Sequence, residues 1–281
     1  MKKILVRAAS GSVYVALIVA ALLLHTPYMF YGLLVLFTVL GIIELHHLVD
    51  NNDTTRRHKL LVAILDCFGG VSLFSTAFFF LVDNEITVAF FLGFFAYLVA
   101  RIVAQIYITG ENALQSFAHS CLTQAYVALP LTLLNVIYAF SPGLLLAIFI
   151  MIWLNDTGAF CVGSMIGRRR LFERISPKKS WEGFWGGMAF SIIAGILLCL
   201  FGDGIFGVFN DSPWRWVALG IVVPVFATWG DLAESLLKRT VHVKDSGHLI
   251  PGHGGILDRI DSLLLVSPIS VIFFTLIKII S

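Results

Sequence analysis

Charge is what this chain has least of. Lys, Arg, Asp and Glu make up 13% of its 281 residues and hydrophobic side chains 58%; soluble domains run nearer about 25% and 45–50%. That scarcity excludes disorder, collagen-like repeats, a coiled coil and a nucleic-acid-binding protein as readings of the whole chain. A net charge of +2 supplies no bulk attraction to a polyanion. Cysteine is scarce too. Cys67, Cys121, Cys161 and Cys199 all lie in apolar stretches and form no C-x-x-C, so they read as small buried hydrophobes and indicate neither a disulfide framework nor a thiolate metal site.

Missing motifs narrow the chemistry further. There is no G-x-x-x-x-G-K-[ST] loop, H-E-x-x-H helix or G-x-S-x-G elbow, so a Walker-type nucleotide site, a zincin and an α/β-hydrolase are excluded. No internal repeat and no matched pair of Gly/Pro-broken spans points to an inverted-repeat transporter. The first apolar run follows Lys2, Lys3 and Arg7, but no small-x-small site follows Leu24. It reads as an uncleaved anchor.

What is present is apolar length. A spanning helix needs about 20 mostly apolar residues. Nine stretches qualify, near 7–24, 30–48, 60–82, 86–108, 117–140, 143–166, 186–209, 214–237 and 262–280. The fold class expected is an all-α polytopic membrane protein of about nine spans. With the N-terminus in the cytoplasm, the inner segments hold 16 of the 19 Lys and Arg, the outer side only Arg215 and Lys278, and Arg101 lies within a span. That asymmetry places the C-terminus outside. Residues 1–140 read as N-terminal transmembrane helices. Residues 141–281 read as a catalytic membrane region with cytoplasmic loops at 167–185 and 238–261.

The few charges are concentrated. Residues 230–261 carry nine in 32 and residues 167–182 eight in 16. Orientation and attraction to anionic headgroups account for Arg168, Arg169 and Arg170. They do not account for 230–261, where acids and bases alternate with glycines. Asp258 and Asp261 share a helix face, as do Asp231, Glu234 and Lys238. Two carboxylate faces flanking a glycine-rich basic loop suit a divalent cation and phosphate oxygens. Interfacial ion pairs between two helices are the alternative. Asp156, well inside the sixth span, is an intramembrane carboxylate and so a candidate for function, or else a packing residue. Glu44, His46, His47, Asp66 and Arg101 lie near cytoplasmic ends of spans and read as snorkelling side chains. His253 fits an acid/base, a phosphate donor or a loop-rigidifying hydrogen-bonder, and the sequence does not choose.

The run Ser235-Leu236-Leu237-Lys238-Arg239, Lys244-Asp245-Ser246-Gly247, Pro251-Gly252-His253-Gly254-Gly255 and Asp258-Arg259-Ile260-Asp261 resembles the signature of phosphatidate cytidylyltransferases (CDP-diacylglycerol synthases). Asn155-Asp156-Thr157, Ser176-Pro177-Lys178-Lys179-Ser180-Trp181-Glu182-Gly183 and Gly230-Asp231-Leu232-Ala233-Glu234-Ser235 resemble that family as well. Ser180 stands where Thr is expected, and His248 where a small polar residue is usual. The likeness covers the last half of the chain.

The resemblance implies transfer of CMP from CTP to phosphatidic acid, giving CDP-diacylglycerol and pyrophosphate at the cytoplasmic face of the cell membrane. It implies Mg²⁺, with K⁺ admitted as a second ion. Asp231, Asp258 and Asp261 are then metal ligands and catalytic residues, joined in catalysis by Lys244 and His253. Lys178, Lys179, Ser235, Lys238, Arg239, Gly254, Gly255 and Arg259 bind substrate. Asp156 and Glu234 support them. The expected partners are CTP, phosphatidic acid and membrane lipids, with no nucleic acid; a homodimer is admitted. The rival function is an ion-coupled transporter using the same carboxylates.

Overall fold

The computed structural model describes residues 2–24, 26–49, 56–80, 82–109, 112–202, 205–206, 212–247, 249 and 254–280, with side chains described between residues 11 and 277 of that set. Its order is α1 (Lys2–Leu23), α2 (Pro27–Val49), α3 (Arg56–Phe79), α4 (Asn84–Tyr107), α5 (Ala113–Thr123), a π-turn (Gln124–Ala128), α6 (Leu129–Phe140), α7 (Pro142–Ile166), β1 (Arg170–Phe172), β2 (Ser176–Ser180), α8 (Trp181–Phe201), α9 (Pro213–Thr240) and α10 (Leu257–Ile280). The all-α polytopic class is borne out. Among the described residues eight helical segments are long and apolar enough to cross a membrane, α5, the π-turn and α6 forming one of them. α1 is helical over 22 residues, and its described apolar part runs Gly11–Leu23.

Local chemistry sets the helix ends. Asp83 accepts the amides of Glu85 and Ile86 at the start of α4, and Asn112 does the same for Leu114 and Gln115 at α5. Ser141 caps α7 with Pro142 behind it. Each satisfies amides that the first helical turn leaves without a partner. α9 stops in a left-handed residue, His242 at φ 58°. The His242 amide returns to Arg239 O and the Val243 amide to Lys238 O, which is the Schellman pattern.

The chain divides into two compact units. The first comprises Met1–Val136 and Asp245–Arg259, the second Ile137–Lys244 and Ile260–Ser281. In the first, Tyr31, Phe74, Phe78 and Phe79 form an aromatic cluster. Gly69 lies flat against the Tyr97 ring, where a Cβ would come within 2.6 Å. In the second, the small residues Gly183, Gly186 and Gly187 of α8 meet Ala159, Val162 and Asn155 of α7, the close-approach packing typical of helices in lipid.

The snorkelling reading of Glu44, His46, Asp66 and Arg101 is corrected by the first unit. Asp66 is fully buried and Arg101 is 3% exposed. Asp66 accepts hydrogen bonds from Tyr97 Oη at 2.9 Å and Ser120 Oγ at 2.8 Å, and pairs with His46 Nε2 at 2.9 Å. Arg101 lies 4.0 Å from Asp66 and donates to Ser120, Gln105 and Ser116. Each charge faces protein on its own helix, so pairing inside replaces the reach to the interface. His47 is exposed, in keeping with the expectation.

Candidate functional site

The second unit gathers carboxylates where α9 and α10 cross. A Cβ on Gly230 would lie 2.5 Å from Asp261 O and 3.1 Å from Ser262 Cα. Only glycine lets the two backbones approach so closely. Asp231, the next residue, is thereby held near Asp261: the charges of Asp231, Glu234 and Asp156 all act on the Asp261 carboxyl. Asp261 Oδ1 accepts from the Ser262 amide at 2.6 Å. Asp156 stands exposed on α7.

Asp231 and Glu234 differ although they are one turn apart. Glu234 is buried and its Oε2 takes the Lys238 ammonium at 2.6 Å, a pair nearly closed to water. Asp231 is 37% exposed. Its Oδ1 accepts from Ser235 Oγ at 3.1 Å and its Oδ2 pairs with Lys179 Nζ at 2.8 Å. A buried pair balances its own charge, whereas a half-exposed one can exchange partners.

Lys179 reaches Asp231 because a small hairpin holds it. β1 and β2 pair antiparallel, Arg170 opposite Ser180 and Phe172 opposite Ser176. Glu182 accepts the amides of Arg168 at 3.1 Å and Arg169 at 3.2 Å. Ser180 caps α8 through the Gly183 amide at 3.1 Å. Side chains alternate along a strand, so Lys178 points to the opposite face from Lys179 and is exposed. Lys179 Nζ also donates to Thr228 O at 3.4 Å.

The glycine-rich segment packs within the first unit. Asp258 Oδ2 accepts from the Ser246 amide at 3.0 Å, Ser246 Oγ at 3.0 Å and the Gly255 amide at 2.9 Å. Glu44, on α2, accepts the amides of Ile256 and Leu257, both at 2.8 Å, and Ser246 Oγ at 3.2 Å. Glu44 therefore caps α10 from a distant helix. Gly254 has φ 81°. A Cβ there would collide with Asp258, and one on Gly255 with Glu44 and Ser246. These glycines let two carboxylates close on the backbone, and the Gly255 amide, expected to face phosphate, donates to Asp258.

Among the remaining expected residues, Arg259 accepts from Tyr14 Oη through its carbonyl at 3.1 Å. Its Nε is buried with no hydrogen-bond partner among the described residues. Arg239 donates to Val243 O at 3.0 Å. Lys244 is exposed at the end of the second unit. His253 lies outside the described residues. Glu44 is the residue that sequence reasoning missed: its partners are 202 to 213 positions away, and no local pattern announces them.

Among the described residues no three His, Cys, Asp or Glu side chains converge tightly enough to enclose a metal ion. The donor set nevertheless suits a hard cation that completes its shell elsewhere. Mg²⁺ characteristically takes one or two carboxylates together with water and substrate phosphate oxygens, and Asp231 and Asp261 supply two all-oxygen donors with a lysine alongside.

The profile of the cytidylyltransferase family matches residues 5–277. The chain is 44% identical over 121 residues to a phosphatidate cytidylyltransferase of Staphylococcus saprophyticus, 45% to that of Staphylococcus haemolyticus and 44% to that of Staphylococcus aureus. Each alignment covers 43% of this chain and 45% of the relative, so it spans a little under half the length of these relatives.

Proposed function

The chain belongs to the cytidylyltransferase family, and from that premise we propose that it is a phosphatidate cytidylyltransferase of the cell membrane. It transfers CMP from CTP to phosphatidic acid and releases pyrophosphate. The observation that carries this reading is the half-exposed Asp231–Lys179 pair, 2.8 Å apart, beside Asp261. It combines what phosphoryl chemistry needs: carboxylates for a divalent cation and an ammonium for phosphate.

In the reaction a phosphatidate phosphate oxygen bonds to the α-phosphorus of CTP as the bond from that phosphorus to the bridging oxygen of pyrophosphate breaks. The attacking oxygen is already anionic, so no strong base is required. Catalysis is then positioning and neutralisation of charge. Asp231 and Asp261 would hold Mg²⁺, which would neutralise charge on the transferring phosphates. Ser235 orients Asp231 by its hydrogen bond. Lys179 neutralises phosphate beside Asp231. The Glu234–Lys238 pair keeps α9 rigid and electrically balanced beneath it. The basic distribution, 16 Lys and Arg to 2, supports an N-terminus and charged loops on the cytoplasmic side, where CTP is available.

The test uses the full-length protein in detergent micelles with CTP and dioleoyl phosphatidate. Pyrophosphate release should require both substrates and Mg²⁺, with CDP-diacylglycerol formed in equal amount. Release of pyrophosphate without phosphatidate, or none with both substrates and Mg²⁺ present, overturns the proposal.

A further inference from the structure

The first unit holds a partly open cavity of about 750 Å³, within the roughly 300–1,000 Å³ of sites that hold small molecules. α2, α3 and α5 line it, and the candidate transfer residues do not. Its two ends differ in chemistry because α2 and α3 run antiparallel: Tyr31 bonds Ser75, Val39 meets Cys67 and His46 meets Asp66. The last turn of α2 and the first of α3 therefore lie at one end. They bring His46, His47, Arg56 and Lys59 to the cavity. Away from that end the wall includes the apolar Val39, Ile43, Ala63, Cys67 and Leu122, and α5 adds Ser116, His119 and Thr123 to the lining. Leu60 and Ile64, also on the wall, are 60% and 56% exposed on a spanning helix, so the cavity has a side open to hydrocarbon.

We propose that this cavity binds one anionic phospholipid, with its phosphate at Arg56 and Lys59 and an acyl chain along Val39, Ile43, Ala63 and Cys67. The two ends match the two ends of such a molecule. A soluble phosphate compound would leave the apolar wall uncovered, and a neutral lipid would bring no anionic phosphate to Arg56 and Lys59. The buried acid behind His46 does not repel the headgroup. Asp66 already has Tyr97, Ser120, His46 and Arg101 around its carboxylate, so its charge is taken up within the unit. Asp231, Asp261 and Lys179 are not among the residues that line the cavity.

The test is lipid retention by the full-length protein in native mass spectrometry. The probes are dioleoyl phosphatidylglycerol, which has no phosphate monoester and is not a substrate, dioleoyl phosphatidylcholine, oleate and inorganic phosphate. The wild-type protein should retain one phosphatidylglycerol in preference to the other three. Arg56→Gln with Lys59→Gln should weaken that retention by about tenfold or more, the loss of a charge-assisted phosphate contact. Ala63→Trp, which fills the apolar end, should weaken it for a different reason, and the melting temperature of each variant without added lipid should stay near wild type. Equal retention of phosphatidylcholine, equal retention of oleate, or tight binding of phosphate alone overturns the proposal. So does unchanged phosphatidylglycerol retention in both variants.

Discussion

Among the described residues, the Asp66 cluster of the first unit and the Asp231 cluster of the second solve opposite problems. Asp66 in the first unit is fully buried and takes its partners from three other helices: Tyr97 of α4, Ser120 of α5 and His46 of α2. Asp231 in the second is 37% exposed and has a lysine on one oxygen and a serine on the other. The first arrangement saturates a carboxylate so that it can remain in an apolar interior. The second leaves a carboxylate accessible, with a neighbour that can be exchanged. A structural cluster and a candidate site thus use the same residue types, and what separates them is how many partners are fixed and how much water reaches them.

The comparison breaks first on stability. Asp66→Ala would leave Arg101 buried without its counter-charge, a loss of about 3–5 kcal/mol. The thermal midpoint in detergent should collapse, and activity should go with it. A variant that melts like the wild type would show that the cluster is not what holds α3, α4 and α5 together.

Next in size is the effect at the candidate site, and it should take the other form. Asp261→Asn keeps shape and removes charge. Activity should fall by about 10²–10³, equivalent to roughly 2.7–4 kcal/mol of transition-state stabilisation, while the melting midpoint stays within a few degrees of wild type. Asp231→Asn should do the same, and the double change should add little, since residues acting as a unit are not additive. Activity that falls only in step with stability would make Asp261 a second Asp66.

Glu44 sharpens the contrast from a third position. Its two carboxylate oxygens accept two backbone amides and a hydroxyl. Glu44→Gln turns one acceptor into a donor facing an N–H, at a cost of about 1–3 kcal/mol. The expected readout is faster amide exchange at Ile256 and Leu257, with the amides of β2 unchanged. Unaltered exchange at those two amides would show that the cap is dispensable.

Much of this was legible in the sequence, and the limits have a physical origin. Hydropathy measures how long a segment is apolar, so most helices emerged with edges off by a few residues, and the seventh span, expected to reach residue 209, ends at Phe201. It does not measure which way a side chain faces around its helix. Asp66 and Arg101 were therefore placed by depth and read as reaching the interface, when their partners were Tyr97, Ser120 and Gln105. The glycines were legible as sites of close backbone approach. What approaches Gly255 is the pair Asp258 and Glu44, and the second of these comes from a separate helix that no spacing rule connects to it. The hairpin at 170–180 left no trace because its strands are three and five residues long and carry charges in place of an alternating apolar pattern. The candidate residues Asp231, Asp261 and Lys179 were all singled out; the pairing of Lys179 with Asp231 needed the hairpin.

That hairpin gives the smallest and most discriminating comparison, between two adjacent lysines. Lys178 and Lys179 are equal in charge and in any account that treats the loop as a general attractor for anionic lipid. They are unequal in geometry, because strand alternation turns Lys179 to Asp231 at 2.8 Å and Lys178 away from it. Lys179→Ala should lower kcat/KM by about 1.5–3 kcal/mol, the worth of a hydrogen bond to a charged group. Lys178→Ala should change it by no more than about 0.5 kcal/mol, the usual effect of a surface substitution. A charge-neutral micelle control separates the two accounts further: with phosphatidate diluted in zwitterionic micelles the difference between the variants should persist, because it arises from one contact and not from the field of the loop. Equal losses from the two substitutions, in either micelle, would mean that the Asp231–Lys179 pair has no role of its own.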